Sequence, residues 1–370
     1  MRVAIVINTS WNIYNYRQGL IKSLLDKGVE VIAIAPKDDF SHKLIELGCD
    51  FVPLKMDNKG INPLKDILLF FRFLFLYDKI KPDCILHYTI KPNVHGSIAA
   101  GILQIPCVSN VSGLGTVFIR KGIVLSLVKH LYRFAFRFPK KVFFQNKDDQ
   151  QLFKELQLLN PEKSDVLPGS GINLSKYQPL AFKTTKPFTF ILIARLLVDK
   201  GIVEYANASK QLKEKGFNLN CVLVGFFDRT SKYNISSNEI EKWAEQGQIV
   251  FNGETQNVIA EIEKADCVVL PSYREGTPRS LLEAMASGKP IITTNVPGCK
   301  DVIEDGCNGF ICEAKNVESL ANAMEKILVL DSQSLMKMGQ KGREFVENRF
   351  DEQIVVEKYL KEIFTKFASE

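Results

Sequence analysis

The sequence predicts an α/β protein made of two successive doubly wound domains, and three observations lead there. Short β-branched runs alternate with helical-period segments along all 370 residues. The runs are apolar almost without interruption, the pattern of strands in a parallel sheet covered on both faces. The rhythm also stops once and restarts. Residues 169–187, GSGINLSKYQPLAFKTTKP, are rich in Gly, Ser and Pro and carry no period, so they read as a linker.

In the first half the strands are RVAIVI (2–7), VEVIAIA (29–35), DFVPL (50–54), DCILHY (83–88), PCVSNV (106–111), KVFFQ (141–145) and SDVLP (164–168). Helical patterns fill the gaps, and YRQGLIKSLLDKG (16–28) ends on a glycine suited to a helix C-terminus. ILLFFRFLFLY (67–77) has only eleven residues and carries Arg72. That is too short for a membrane span, and it reads as a buried helix of an α/β layer. After the linker come FTFILIA (188–194), LNCVLVG (219–225), QIVFNG (248–253), DCVVLPS (266–272) and PIITTN (290–295), again with helices between. Two Rossmann-like domains follow, 1–175 and 186–350, with parallel sheets facing a cleft. Ligands are expected at the carboxyl ends of the strands that line it. The last helix, within 352–370, is expected to pack back on the first domain.

Composition bounds the function. The chain is 46% hydrophobic with a net charge of +6, an ordinary balance for a globular protein. Residues 1–180 carry 24 Lys/Arg against 15 Asp/Glu, whereas 181–370 carry 24 against 27. A basic front half suggests phosphates or an anionic surface as partner, but the excess is too small to argue for nucleic acid. Eight cysteines are scattered with no C-x-x-C pair, and with four histidines no zinc signature assembles. The opening MRVAIVIN reads as a strand rather than a signal peptide, and free cysteines favour a reducing cytoplasm.

The doubly wound pattern first suggests a dinucleotide, yet the first strand runs into NTSWNIYNYRQG with no G-x-G-x-x-G. A phosphate loop of the G-x-x-x-x-G-K-S/T type is missing too. The first turn of the second domain, ARLLVDKG, instead offers Arg195 just past a strand and Lys200 five residues on. A guanidinium fork and an ammonium at a strand end suit a diphosphate. Downstream, REGTPRSLLEAMASGKP (274–290) reads as a turn and a helix with Thr277 as N-cap and Pro278 at the first helical position. Its N-terminus would favour an anion, yet Glu275 precedes it and Glu283 lies inside it. Carboxylates accept from vicinal hydroxyls, so the pair suits a ligand with both phosphates and sugar hydroxyls.

With these residues in view, PSYREGTPRSLLEAMASGKPIITTNVPGCKDVI, ARLLVDKG and EDGCNGF together resemble the retaining nucleotide-sugar glycosyltransferases of glycosyltransferase family four, over essentially the whole chain. The resemblance implies the GT-B fold and a UDP-sugar donor. It implies that Glu275 hydrogen-bonds the donor sugar, that Glu283 holds the ribose, and that Arg195 and Lys200 hold the diphosphate. Gly253 in NGETQNV would border the base, and Gly276 and Thr277 complete the donor loop. Glu275, Arg195 and Lys200 are the implied catalytic set.

HYTIKPNVHG (87–96) and NVSGLGTVF (110–118) resemble bacterial enzymes of O-antigen, capsule and protein-glycan assembly, which extend sugars on undecaprenyl diphosphate. That puts Lys91, Ser112 and Gly113 among the acceptor-binding candidates. There are two departures. TSWNIYNYR stands where many members have a Gly-Gly pair, and Ser112 where many have a histidine.

The chain contains no Asp-x-Asp, so no metal or other cofactor is expected, and the cations would neutralise the departing diphosphate. Residues 116–141 hold seven Lys/Arg and no acid, with Phe134, Phe136 and Phe138 interleaved. Such a helix fits shallow docking on the inner face of the cytoplasmic membrane, with Arg133 and Arg137 meeting the acceptor diphosphate. The expectation is a metal-independent retaining transferase moving a hexose or N-acetylhexosamine to a polyprenyl-diphosphate-linked sugar. A UDP-sugar 2-epimerase of the same fold and a non-catalytic nucleotide-sugar-binding protein stay open as alternatives.

Overall fold

The computed structural model describes residues 1–57, 62–114, 123–180, 186–228, 231 and 233–365. Parts of the expected linker and of the basic segment 116–141 lie outside these residues. The chain divides into two compact units, Met1–Gly171 with Glu352–Glu370, and Ile172–Asp351.

The first unit runs β1 (Arg2–Val6), α1 (Ser10–Leu25), β2 (Glu30–Ala35), α2 (Ser41–Glu46), β3 (Asp50–Pro53), α3 (Pro63–Ile80) and β4 (Cys84–Tyr88). It continues with α4 (Ser97–Ile102), β5 (Cys107–Val111), α5 (Ile123–Ala135), β6 (Lys141–Phe144), α6 (Lys147–Glu155) and β7 (Ser164–Val166). The strands form one parallel sheet in the order β3-β2-β1-β4-β5-β6-β7. Alternate residues of β1 face opposite layers, as a two-residue side-chain period requires. Val3 and Ile5 pack with Leu20 and Leu24 of α1, while Ala4 and Val6 pack with Leu69 and Phe73 of α3.

Two helices differ from expectation. α1 begins at Ser10 rather than 16, because its start is fixed by capping and not by apolar period. Thr9 accepts from the Asn12 amide at 3.1 Å, and the Asp38 carboxylate accepts from Ser10 and Trp11 at 2.9 and 3.2 Å. α3 is not buried all round: Leu69, Phe73 and Tyr77 are, but Leu64, Ile67, Leu68, Phe71 and Phe75 are exposed.

The second unit runs β8 (Phe188–Ile193), α7 (Ile202–Glu214), β9 (Leu219–Val224), α8 (Ser237–Glu245), β10 (Val250–Gly253), α9 (Val258–Glu263) and β11 (Cys267–Leu270). Then follow α10 (Arg279–Ala286), β12 (Ile291–Thr294), β13 (Gly309–Cys312), α11 (Val317–Leu328) and α12 (Ser332–Arg349). Its parallel sheet has the order β10-β9-β8-β11-β12-β13. β13, a four-residue strand straight after a turn, was not expected. The first domain, expected to reach 175, ends at Gly171. Ile172 and Tyr177 are buried in the core of the second unit with Leu281 and Met285, so that stretch of the expected linker is packed structure.

The chain returns to the first unit with α13 (Glu352–Phe364). Val355, Val356, Tyr359 and Ile363 join the core of β1 and α1, and Asn110 donates to the Tyr359 hydroxyl at 2.9 Å.

Candidate active site

In an open parallel sheet, ligands gather where the strand order reverses, because there the loops leave toward opposite faces. In the second unit that point lies between β8 and β11. β8 leads into Arg195–Gly201 and β11 into Pro271–Pro278, which bring Lys200 and Glu275 together. The Lys200 ammonium donates to Oε1 of Glu275, and Ser272 Oγ donates to the same oxygen at 2.7 Å. The two side chains are only 12% and 15% exposed, so the pair is largely withdrawn from water. Arg195 lies nearer solvent and pairs with Asp228, past the end of β9, at 3.0 Å.

The Glu275 loop is fixed by backbone. Its amide donates to the carbonyl of Pro297 at 3.1 Å, and the Tyr273 amide donates to that of Asp199 at 2.9 Å. Gly298 has φ +82°, and an added Cβ would run into the carbonyl oxygens of Glu275 and Gly276. Only glycine allows both the conformation and that approach. Gly201, φ +72°, meets the Pro271 carbonyl in the same way and ties the start of α7 to the end of β11.

α10 starts one residue later than expected. Pro278 holds the N-cap position and no side chain caps the helix, so Thr277 is not the cap. Pro278 occupies that place because its extended backbone, ψ 104°, turns the loop into the helix. Glu283 sits at the fifth helical position and is 8% exposed. Its Oε1 accepts from the Tyr177 hydroxyl at 2.8 Å and from Arg279 Nε at 3.0 Å. Burial and the neighbouring Glu283 carboxylate push the Tyr177 hydroxyl well above its ordinary pKa, so it stays a donor. Gly253 ends β10 in a left-handed conformation with open space around its Cα, and Gly276 and Thr277 lie half-buried in the Glu275 loop. The donor candidates thus lie at the carboxyl ends of β8, β10 and β11, with Glu283 on the helix that follows.

In the first unit, the strand order reverses between β1 and β4. At the end of β4, Thr89 takes φ 66°, and Lys91 leads into a π-helical turn at Pro92–Gly96. Lys91 pairs with Asp66 of α3 at 2.9 Å and borders a pocket of about 400 Å³ with Pro36, Lys55, Lys65 and Arg72. Ser112 donates to Asn110 Oδ1 at 2.8 Å, and Gly113 has φ 134°. The start of α1 offers no open anion seat at the Ser10 and Trp11 amides, since Asp38 accepts from both.

His87 is a core residue. It is fully buried, hydrogen-bonded to the Tyr77 hydroxyl at 2.9 Å and to Ser97 Oγ at 3.2 Å, and burial lowers its pKa to about 3. On α5 and just beyond it, Tyr132 and Phe136 are buried and Phe134 is exposed. Arg133 donates to the carbonyls of Leu156 and Gln157 at 2.9 and 3.1 Å, and the Arg137 guanidinium lies 5.7 Å from the Phe134 ring centroid.

Sequence reasoning missed Tyr177, Arg279, Ser272 and Asp228. The i, i+4 spacing of Arg279 and Glu283 on one helix was a readable signal. Tyr177 had none, standing 106 residues from its partner in a stretch without period.

Known proteins show the same architecture. The description "Glycosyl transferases group 1" matches residues 177–345, and "Glycosyl transferase 4-like" matches 2–146. A Campylobacter jejuni protein, N,N'-diacetylbacillosaminyl-diphospho-undecaprenol alpha-1,3-N-acetylgalactosaminyltransferase, is 30% identical over 98% of both chains. The Staphylococcus aureus capsular polysaccharide biosynthesis glycosyltransferase CapM is 27% identical over 86% of this chain and 85% of its own. An Escherichia coli UDP-Gal:alpha-D-GlcNAc-diphosphoundecaprenol alpha-1,3-galactosyltransferase is 25% identical over 81% and 79%. Among solved structures, Anabaena HepE in complex with UDP and glucose superposes with a TM-score of 0.80 at 19% identity, covering 99% of both chains. The fold is GT-B, with two parallel-sheet Rossmann-like domains. The chain belongs to the group 1, family-four-like glycosyltransferases.

Proposed function

We propose that this chain moves a hexose or N-acetylhexosamine from a UDP-sugar to a sugar carried on polyprenyl diphosphate, with retention and without a metal ion. It would work at the inner face of the cytoplasmic membrane. The observation that carries the reading is the Lys200–Glu275 pair, largely withdrawn from water at the β8/β11 reversal, with Arg195 beside it on the same loop and Glu283 held on α10. Two relatives, matched over 98% and 79% of their own length and named for transfer to diphospho-undecaprenol-linked sugars, support the acceptor class.

In this reading the donor diphosphate meets Lys200 and Arg195, and Glu275 turns from Lys200 to the hydroxyls of the donor sugar. Glu283 keeps Oε1 on Tyr177 and Arg279 and offers its other oxygen to the ribose. The bond between the anomeric carbon and the β-phosphate oxygen breaks, and the acceptor hydroxyl oxygen bonds to that carbon on the same face. Its proton passes to the departing phosphate, giving UDP and a glycan longer by one sugar. Lys200 and Arg195 neutralise the charge that grows on the diphosphate, and Lys200, shielded from water and held in place, does so better than water could. In the first unit, Lys91, Ser112 and Gly113 at the ends of β4 and β5 are the proposed acceptor contacts, together with Arg133 and Arg137.

Screening UDP-sugars against a short prenyl-diphosphate-linked sugar, with product mass as readout, tests the proposal. One donor should add one sugar mass, and Glu275→Ala should abolish the addition. Transfer that survives Glu275→Ala overturns the site assignment.

A further inference from the structure

α3 carries two apolar faces, and the core needs only one. At 3.6 residues per turn, buried Leu69, Phe73 and Tyr77 share one side of the helix. Leu64, Ile67, Leu68, Phe71 and Phe75 fall on the opposite side, within a stripe about 100° wide. They are 44–79% exposed, Leu64 and Phe75 most of all. Single exposed apolar residues are ordinary, but five in one helical stripe form a contiguous patch that signals a partner. Asp78 is the one acid on the stripe's side, near its far end.

The flank of the stripe is basic. Lys65, Arg72 and Lys79 recur every seven residues and line one edge of the helix. Lys65 and Arg72 also border the 400 Å³ pocket, with Lys55 from the loop after β3 and Lys91 from the end of β4. Asp57 pairs with Lys65 at 3.1 Å and Asp66 with Lys91 at 2.9 Å, which leaves four cations against two acids. The hydrogen bond and charge of Lys65, with Lys91 and Arg72 beyond it, hold the Asp57 carboxyl below its ordinary range, the mark of a positive field. Among the described residues no helix is long and apolar enough to cross a bilayer, so this face can lie on one but not thread it.

We infer that α3 is the docking face of this enzyme for an anionic phospholipid leaflet, its Leu64–Phe75 stripe entering the headgroup layer while Lys55, Lys65, Arg72 and Lys79 meet lipid phosphates. A second protein surface would answer the apolar stripe alone, whereas a leaflet answers both the stripe and the cations along its edge. The inference rests on the reading that the acceptor is carried on a lipid. It gives that reading a geometry, because Lys91, a proposed acceptor contact, borders the pocket on the basic side of the stripe.

The test is co-sedimentation of the full chain with vesicles of phosphatidylcholine and phosphatidylglycerol at three to one, and of phosphatidylcholine alone. Binding should require the anionic lipid and weaken with salt. Leu68→Asp with Phe75→Asp should lower vesicle affinity by about tenfold or more, since each truncates a side chain whose burial is worth that much. Lys65→Glu with Arg72→Glu should lower it on the anionic vesicles as well. The Leu68/Phe75 variant should turn over a water-soluble, short-prenyl acceptor at the wild-type rate, and its unchanged melting temperature would verify folding. Unchanged vesicle binding in that variant, loss of binding only in Arg133→Glu with Arg137→Glu, or a solution dimer that the aspartates dissociate would each overturn the inference. Failure of transfer to the soluble acceptor with intact vesicle binding would instead count against the proposed reaction.

Discussion

Replacing Lys200 by methionine separates what the Lys200–Glu275 pair does for stability from what it does for the reaction. Both side chains are at most 15% exposed, and the change takes from Glu275 its cation while the Ser272 hydrogen bond stays. Removing the opposite charge from a carboxylate so withdrawn from water costs about 2–4 kcal/mol, because less of its desolvation is offset. Glu275→Gln should destabilise in the same direction by leaving the ammonium unpaired. The double variant removes both charges, so it should recover a coupling of about 1–3 kcal/mol relative to the sum of the single changes. Turnover should not recover: all three variants should lose about a hundredfold or more in kcat, the usual cost of deleting a group aimed at developing charge. Urea unfolding of the four proteins and UDP release with donor and acceptor present read the two effects. Additive stabilities within about 0.5 kcal/mol, or a double variant that regains turnover, would refute the reasoning.

Tyr177→Phe removes one of two donors to Glu283 and should raise the KM for the UDP-sugar about tenfold with little change in kcat, since a hydrogen bond to a charged group is worth about 1.5–3 kcal/mol; initial-rate kinetics separate the two constants. Gly298→Ala should cost about 2 kcal/mol or more, because φ +82° is strained for alanine and its Cβ meets the backbone of Glu275 and Gly276; a lowered melting temperature with a raised donor KM is the expected pair of results. His87 is neutral in the folded state, with a pKa lowered from 6.5 to about 3 by burial. Below pH 6.5 the unfolded chain binds a proton that the folded chain refuses. Its contribution is therefore complete above that pH and is lost at up to about 1.4 kcal/mol per unit as pH falls toward 3. His87→Gln should flatten the slope in urea melts across that range.

Apolar period was enough to find all seven strands of the first sheet and five of the six in the second, because buried parallel strands are read from local composition. β13 escaped, being four residues beside a turn, and the true start of α1 escaped because caps, not period, set it. Arg195, Lys200, Glu275 and Glu283 were legible as strand-end cations and helix-flanking carboxylates. Two of their partners were not. Asp228 lies 33 residues from Arg195, and Tyr177 lies 106 from Glu283, distances that only the folded chain closes. α3 shows the opposite failure, since its run of leucines and phenylalanines read as wholly buried. Periodicity identifies an apolar face without saying what covers it, and here one face meets β1 and β2 while the other meets solvent.

The most direct test is the configuration of the product. Incubating the enzyme with its UDP-sugar, a short prenyl-diphosphate-linked acceptor and a metal chelator, then reading the anomeric coupling of the new linkage by NMR, should show retained donor stereochemistry and strict dependence on acceptor. An inverted linkage, or a changed UDP-sugar formed without any acceptor, would contradict it.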